Sequence, residues 1–308
     1  MFKRIIPVIF GILLVALIEF SLCLAGKCFL YARNPKGASG NAECDKLILC
    51  IGDSHTFGVG AADKYSYPGQ LETLLNINNP QVLYKVVNSG VPGNSTRQQI
   101  ERLGALLKEN KTDLVILLTG RNNYFEAKAW GNNSLSMHLL IKLQKMRTYK
   151  VLKYALDRYF KIGRRADINA FVEEQKYEDY IRAQLARAKS LCAEHGCPLL
   201  LISYYNNHYQ CIAKIAEELE IVYLNLYQDS FKNLPQDEVF RLAYIDNSHM
   251  NCYGYRIFAQ ALYKKMYLYR EDLALQLNGL SNEIDQAGLC RDAWLSPLRR
   301  AQGKSVFY

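Results

Sequence analysis

Mostly apolar runs of six or seven residues alternate along the chain with stretches whose apolar residues recur at helical spacing. The runs predict five strands, and the stretches between and after them predict helices. The predicted strands are 46–51, 82–87, 113–119, 198–203 and 221–226, and the predicted helices are 68–75, 95–108, 172–194, 212–219 and 253–269. Strands that alternate with helices form a parallel sheet covered on both faces. We therefore predict a three-layer α/β/α fold with a five-stranded, mainly parallel sheet.

A separate apolar segment precedes this alternation. Between Ile5 and Ala25 the charge is Glu19 alone, and a helix of about 20 mostly apolar residues is long enough to span a bilayer. We interpret residues 1–26 as an uncleaved signal anchor, a single-pass transmembrane helix; a cleaved signal peptide and a buried helix are the alternatives. Basic residues flank both ends, so charge does not decide the orientation. Because such segments serve export, we expect the domain that follows to be extracytoplasmic.

The remaining segments outside the alternation are a linker, an insertion and a tail. Residues 27–43 are rich in glycine and small polar residues and predict a linker, which leaves 44–270 as the folded domain. Residues 271–308 show little periodicity and predict a loose C-terminal tail. Residues 124–170 interrupt the alternation and form an insertion.

The insertion carries most of the positive charge of the chain. Residues 138–165 hold nine Lys or Arg and one acid, a net charge of +8 against +9 for the whole chain. Apolar residues recur through this part at helical spacing, which predicts a basic amphipathic helix or helix pair. Such a helix could rest on anionic lipid or polymer, form a lid, or be an ordinary helix with a solvated basic face. No recognition motif accompanies the charge, so we expect no nucleic acid partner.

Polar clusters follow three of the predicted strands, and a fourth precedes the last helix. They are Gly52-Asp-Ser54, Asn88-Ser-Gly-Val-Pro-Gly93, Gly120-Arg-Asn122 and Asp246-Asn-Ser-His249. The carboxyl ends of parallel strands meet at one edge of a sheet, where ligands bind in open α/β folds. We therefore expect the four clusters to form one site.

The residue types in these clusters fit acyl transfer from an ester. This reaction requires a nucleophile, a base, a group that orients the base, and donors for the oxyanion. Ser54 supplies a hydroxyl, and His249 is the best base because Asp246 can hold its other ring nitrogen. The backbone N–H groups of Ser54 and Gly90 and the side-chain amide of Asn122 are the candidate oxyanion donors.

The other histidines and the cysteines are assigned no chemistry. His55 adjoins the nucleophile but points away from it if the local backbone is extended. Cys50 and Cys252 are expected in the core, and Cys192 and Cys197 could be bridged. No group of histidines and carboxylates has the spacing of metal ligands, so we expect neither a metal nor a cofactor.

The four clusters together resemble the SGNH (GDSL-type) hydrolase family, in the expected order and across residues 44–270. The resemblance implies a flavodoxin-like α/β/α fold. For the site it implies Ser54 as nucleophile, Gly90 and Asn122 as oxyanion donors, and Asp246 and His249 as the acid and base of a triad. The chain departs from the family pattern in Asn123, where aspartate is usual, and in Met250, where proline is common.

These observations predict a membrane-anchored serine esterase. Its substrate would be an acetyl or short acyl ester of a carbohydrate or lipid, cleaved through an acyl-enzyme. An O-acyltransferase that acts on a polysaccharide forms the same acyl-enzyme, and the sequence does not separate the two. A third hypothesis is a catalytically silent module that binds an anionic polymer through the basic helix, although the intact set of site residues argues against it.

Overall fold

A computed structural model describes most of the predicted domain. The described residues are 2–33, 44–131, 139, 142–143, 146–149, 151–152, 174–204, 210–225, 230–231, 249–271 and 273. Most of the predicted linker, insertion and tail lie outside these residues, as does Asp246. The described pieces 142–143, 147–149 and 151–152 of the basic insertion are helical.

The strands and helices of the described residues are numbered here in chain order. The strands are β1 (Lys46–Gly52), β2 (Tyr84–Gly90), β3 (Leu114–Thr119), β4 (Leu199–Ser203) and β5 (Val222–Leu224). The helices are α1 (Phe2–Arg33), α2 (Ser54–Phe57), α3 (Tyr67–Asn78), α4 (Thr96–Glu109), α5 (Tyr124–Ala129), α6 (Glu174–Glu194), α7 (Gln210–Glu218) and α8 (Cys252–Leu268). A short 3-10 helix spans Asp63–Tyr65.

The five strands form one parallel sheet in the order β2-β1-β3-β4-β5. The chain moves outward from β1 to β2 and then returns past β1 to β3, so right-handed crossovers place α3 on one face and α4, α6 and α7 on the other. The packing agrees, since α8 contacts α3, whereas α6 contacts α4 and α7. The predicted α/β fold with a five-stranded parallel sheet is confirmed.

Burial explains why the central strands are continuous apolar runs. All six residues of β3 are buried, and in β1 every residue after Lys46 is buried. A strand covered by helices on both faces has no solvent side, so it shows no alternation of polar residues. Within the described part of the chain, β5 is the last strand of the sheet, pairs with β4 alone and has three residues, two of them half-buried. The predicted strand 221–226 was therefore too long.

The N-terminal helix α1 continues beyond the predicted anchor. It ends at Arg33, so the first seven residues of the predicted linker are helical. Residues 28–32 are mostly apolar or good helix formers, and Pro35 disfavours helix at the residue before it. Among the described residues, none of the helices combines the length and apolar character that crossing a membrane requires.

The buried cysteines are thiols packed in the domain. Cys50 and Cys252 lie in the core, as predicted. Cys192 and Cys197 are both free. The Cys197 thiol donates instead to the backbone carbonyl of Cys192, with 3.6 Å between Sγ and O. The bridge that the sequence allowed between these two residues is not formed.

Candidate active site

Ser54 begins a four-residue helix immediately after β1. Asp53 caps this helix, and its Oδ1 accepts a hydrogen bond of 3.1 Å from the His55 N–H. Gly58 ends the helix in the left-handed region, at φ 86°, which glycine adopts without strain. The sequence predicted no helix between residues 51 and 68, so α2 and the 3-10 helix were missed. The early turn holds Ser54 at the carboxyl edge of the sheet.

The structure brings Ser54 and His249 together. Their Oγ and Nε2 atoms lie 3.0 Å apart, within hydrogen-bond distance. His249 is held just before α8, where the Asn251 side chain caps the helix by accepting from the N–H groups of Tyr253 and Gly254. In the tautomer with its proton on Nδ1, the imidazole can accept the serine proton. Asp246 lies outside the described residues, so its role as the acid stays a prediction.

Gly90 lies beside α2, the short helix that begins with Ser54. It pairs with Gly52 at the end of β1, and its N–H donates to Asn88 Oδ1 at 3.1 Å. A Cβ at this position would lie 2.1 Å from the backbone nitrogen of Phe57 and 2.6 Å from the carbonyl carbon of Thr56. Glycine is therefore required for α2 to pack against β2. The oxyanion role of Gly90 stays a prediction.

Asn122 is exposed after β3 and adopts a left-handed backbone with φ 61°. Asparagine tolerates this conformation better than most residues. Its Nδ2 donates to Asp53 Oδ2 at 3.1 Å and to the Asn94 carbonyl at 3.3 Å. To donate to an oxyanion, the amide would have to exchange one acceptor, and the contact with Asn94 is the longer one and is exposed to solvent.

Asp53 connects the ends of three strands. Its carboxylate is fully buried and accepts hydrogen bonds from the Tyr204 hydroxyl, the His55 N–H and the Asn122 amide. Burial raises the pKa of the Asp53 carboxyl, although the hydrogen bonds from Tyr204 and His55 oppose the shift. Since Tyr204 follows β4 and Asn122 follows β3, these hydrogen bonds hold the carboxyl ends of β1, β3 and β4 together around Ser54. Sequence analysis did not identify Tyr204.

His55 and Arg121 form a second layer of the site. The His55 ring is buried and stacks on His249, with 5.3 Å between ring centroids. Arg121 Nη1 lies 3.2 Å from His55 Nε2, and its guanidinium lies over the Tyr204 ring at 4.7 Å. The expectation that His55 points away was wrong because residues 54–57 are helical, not extended. Arg121 could have been identified from the sequence because it lies next to Asn122, a predicted site residue.

The sequence profile of the GDSL-like lipase/acylhydrolase family matches residues 50–257, more than half of the 308-residue chain. The chain belongs to this family. It is accordingly an ester-hydrolysing enzyme of the SGNH/GDSL type. The matched range includes Ser54, Gly90, Asn122 and His249.

Several solved structures are similar to this GDSL-family chain at low sequence identity. The SGNH-hydrolase family esterase AlinE4 is 16% identical, with 76% of this chain and 97% of that one covered and a TM-score of 0.42. TesA is 15% identical, with coverages of 74% and 99% and a TM-score of 0.47. The psychrotrophic esterase EstA from Pseudoalteromonas is 13% identical, with coverages of 74% and 100% and a TM-score of 0.47. No curated protein sequence matches the chain.

The two departures from the GDSL-family pattern are accommodated by packing. Asn123 is buried, and its Oδ1 accepts a 2.8 Å hydrogen bond from the Thr96 N–H at the start of α4. Met250, which directly follows His249 in the sequence, is fully buried. Within the described ranges, no three His, Cys, Asp or Glu side chains are grouped so that they could hold a metal ion.

Proposed function

We propose that the enzyme is a serine esterase that removes acetyl or other short acyl groups from a carbohydrate or lipid. The observation that carries the proposal is the 3.0 Å contact between Ser54 Oγ and His249 Nε2 at the carboxyl edge of the sheet. A serine hydroxyl is a weak nucleophile, and a base within hydrogen-bond distance activates it.

The proposed reaction proceeds through an acyl-enzyme. As Ser54 Oγ attacks the ester carbonyl carbon, His249 takes the hydroxyl proton and later delivers it to the leaving alcohol. Water then attacks the acyl-enzyme, His249 takes its proton, and the acid leaves as Ser54 recovers the proton. We propose that Asp246 holds the other ring nitrogen of His249, and that Ser54 N–H, Gly90 N–H and the Asn122 amide stabilise the oxyanion.

Hydrolysis and acyl transfer are separated by the fate of the acyl group. With 4-nitrophenyl acetate and no added acceptor, the esterase is expected to release acetate and nitrophenol in equal, multiple-turnover amounts, measured by absorbance and acetate assay. A single turnover of nitrophenol, followed by acetate on an added polysaccharide, would favour the acyltransferase. No nitrophenol above the Ser54→Ala level would favour the silent binding module.

We further propose that α1 attaches the enzyme to a membrane, with the catalytic domain on the extracytoplasmic side. Large apolar side chains are exposed along α1, namely Phe10, Leu13, Leu14, Val15, Leu17, Ile18, Phe20 and Leu24. Between residues 13 and 28 the half-buried positions are Glu19, Leu22, Cys23 and Gly26, which lie on one helical face. An apolar helix that is covered on a single face leaves the other faces for lipid.

Two residues of the basic insertion, Arg147 and Thr148, contact that single face at Glu19. Glu19 accepts hydrogen bonds from the N–H groups of Arg147 and Thr148 at 2.9 and 2.8 Å, and from the Thr148 hydroxyl at 2.8 Å. The Glu19 carboxylate is thus hydrogen-bonded to protein donors, which lowers the free-energy cost of placing it beside lipid. Leu139, Val151 and Leu152 of the insertion are also exposed, which supports a second lipid contact there.

The membrane proposal predicts that the full-length wild type floats with anionic vesicles in a density gradient. The triple variant Leu13→Asp/Leu17→Asp/Phe20→Asp is expected to stay in the dense fraction, because three charges replace exposed apolar groups. Ile77→Asp, at an exposed apolar position of α3, is the control and should still float. Flotation of the triple variant would contradict the proposal. Cleavage of the domain by protease added outside intact cells would support the extracytoplasmic side.

A further inference from the structure

Arg121 is a charged residue at the carboxyl edge of the sheet, and the proposed reaction does not use it. It is half-buried between Gly120 and Asn122 at the carboxyl end of β3. One guanidinium nitrogen lies 3.2 Å from His55 Nε2, and the guanidinium packs over the Tyr204 ring. Both partners are uncharged when the His55 ring accepts this hydrogen bond.

No carboxylate of the described residues lies within ion-pair distance of Arg121, although its charge acts on the Asp53 carboxyl at longer range. Asp53 is the nearby acid, but its oxygens are occupied by the Tyr204 hydroxyl, the His55 N–H and the Asn122 amide. A charged group taken out of water is costly without a partner of opposite charge. By contrast, Arg97 in the same domain is paired with Glu126 at 3.0 Å.

The Arg121 guanidinium is held in place by His55 and Tyr204, and most of its N–H groups remain available to a ligand. Arginine has five N–H groups, and one of them donates to His55. Its planar arrangement of donors matches the two oxygens of a carboxylate or phosphate. The aromatic ring and the imidazole restrict the orientation of the side chain, so less conformational entropy is lost when an anion binds.

The guanidinium is also connected to the reacting serine through two histidine rings. His55 stacks on His249 with ring centroids 5.3 Å apart, and His249 lies 3.0 Å from Ser54 Oγ. Two imidazole rings therefore link Arg121 to the nucleophile, and both Arg121 and Ser54 lie at the carboxyl edge of the sheet, where the substrate binds in such folds. We propose that Arg121 binds an anionic group, a carboxylate or phosphate, carried by the ester substrate near its scissile bond. This inference rests on the proposed esterase function.

Two matched pairs of esters test the proposal with the full chain. 4-Nitrophenyl hydrogen succinate and its methyl ester place a carboxylate or a neutral group on the acyl side. 4-Acetoxybenzoate and its methyl ester do the same on the alcohol side. We expect wild type to prefer the anionic member of at least one pair in kcat/KM. Arg121→Gln should reduce this preference by about 10- to 100-fold, as is typical for loss of a charged hydrogen-bonding partner.

Matched variants separate substrate recognition from a structural role of Arg121. Arg121→Lys keeps the charge and should retain part of the preference. Arg187→Gln removes an exposed arginine on α6 and should leave the preference unchanged. The proposal is overturned if wild type shows no preference in either pair, if Arg121→Gln keeps the preference, or if it slows both members equally. The last result would mean that Arg121 only positions His55.

A binding measurement keeps this test independent of turnover. If none of the four esters is hydrolysed, the esterase proposal fails by itself, and calorimetry with free succinate and inorganic phosphate then decides the role of Arg121. Binding of either anion by wild type, weakened at least tenfold in Arg121→Gln, supports the site. Absence of binding to wild type, or equal binding to both proteins, overturns it. Binding of phosphate alone would indicate a phosphorylated substrate and not a carboxylated one.

Discussion

Replacing Ser54 with alanine is expected to abolish covalent labelling by a fluorophosphonate and to lower kcat/KM by about 10⁴-fold or more, the scale seen when a nucleophile of this kind is removed. The reason is the contact between Ser54 Oγ and His249 Nε2, through which His249 activates this hydroxyl in the proposed mechanism. Intact-protein mass spectrometry measures the result directly. The wild type should gain the mass of one adduct, and Ser54→Ala should gain none.

A second serine variant controls for non-specific labelling. Ser190 lies on α6 and its hydroxyl donates to Glu194, so Ser190→Ala should be labelled like the wild type. An adduct on Ser54→Ala would assign the nucleophile to another residue. If a folded wild type stayed unlabelled while bound to an anionic polymer, the silent binding module would be the better explanation.

The sheet could be predicted because burial leaves a strong signal in the sequence. Strands such as β3 are buried at every position, and a run of five apolar residues such as Leu114–Leu118 is too short for a typical buried helix and so predicts a strand. The rule that carboxyl ends meet at one edge, together with the position of the His249 cluster just before the last helix, was enough to predict that Ser54 and His249 share one site, although they are 195 positions apart. That part of the site follows from topology and needs no knowledge of side-chain packing.

The surroundings of the nucleophile could not be predicted because they depend on a short helix. The four residues of α2 are too few to show periodicity, and an extended backbone there predicts the wrong direction for His55. Tyr204 is one of 22 tyrosines, and nothing in its type marks it as a partner of Asp53. Its position directly after a predicted strand was the usable signal, and the same signal applies to Arg121.

A methyl group at Gly90 is expected to have the second largest effect. In Gly90→Ala the new Cβ would overlap the backbone of Phe57 and Thr56, at 2.1 and 2.6 Å, so α2 must move away from β2. Overpacking of this kind costs about 1–3 kcal/mol of stability. Because α2 begins with Ser54, a shift of about 1 Å should also lower kcat/KM by about 100-fold. Thermal unfolding and steady-state kinetics measure the two effects.

The choice of alanine at position 90 distinguishes a packing defect from the loss of an oxyanion donor. Alanine retains the backbone N–H, so a defect in Gly90→Ala arises from displacement and not from a missing donor. Gly104→Ala on α4 is the matched control, since its Cβ would meet the Leu191 methyl groups at 3.5 and 3.7 Å, an ordinary contact. This control should be as active as the wild type and at least as stable, because alanine favours helix over glycine. Full activity and stability in Gly90→Ala would show that α2 can reposition without moving Ser54, and the packing account of Gly90 would then be wrong.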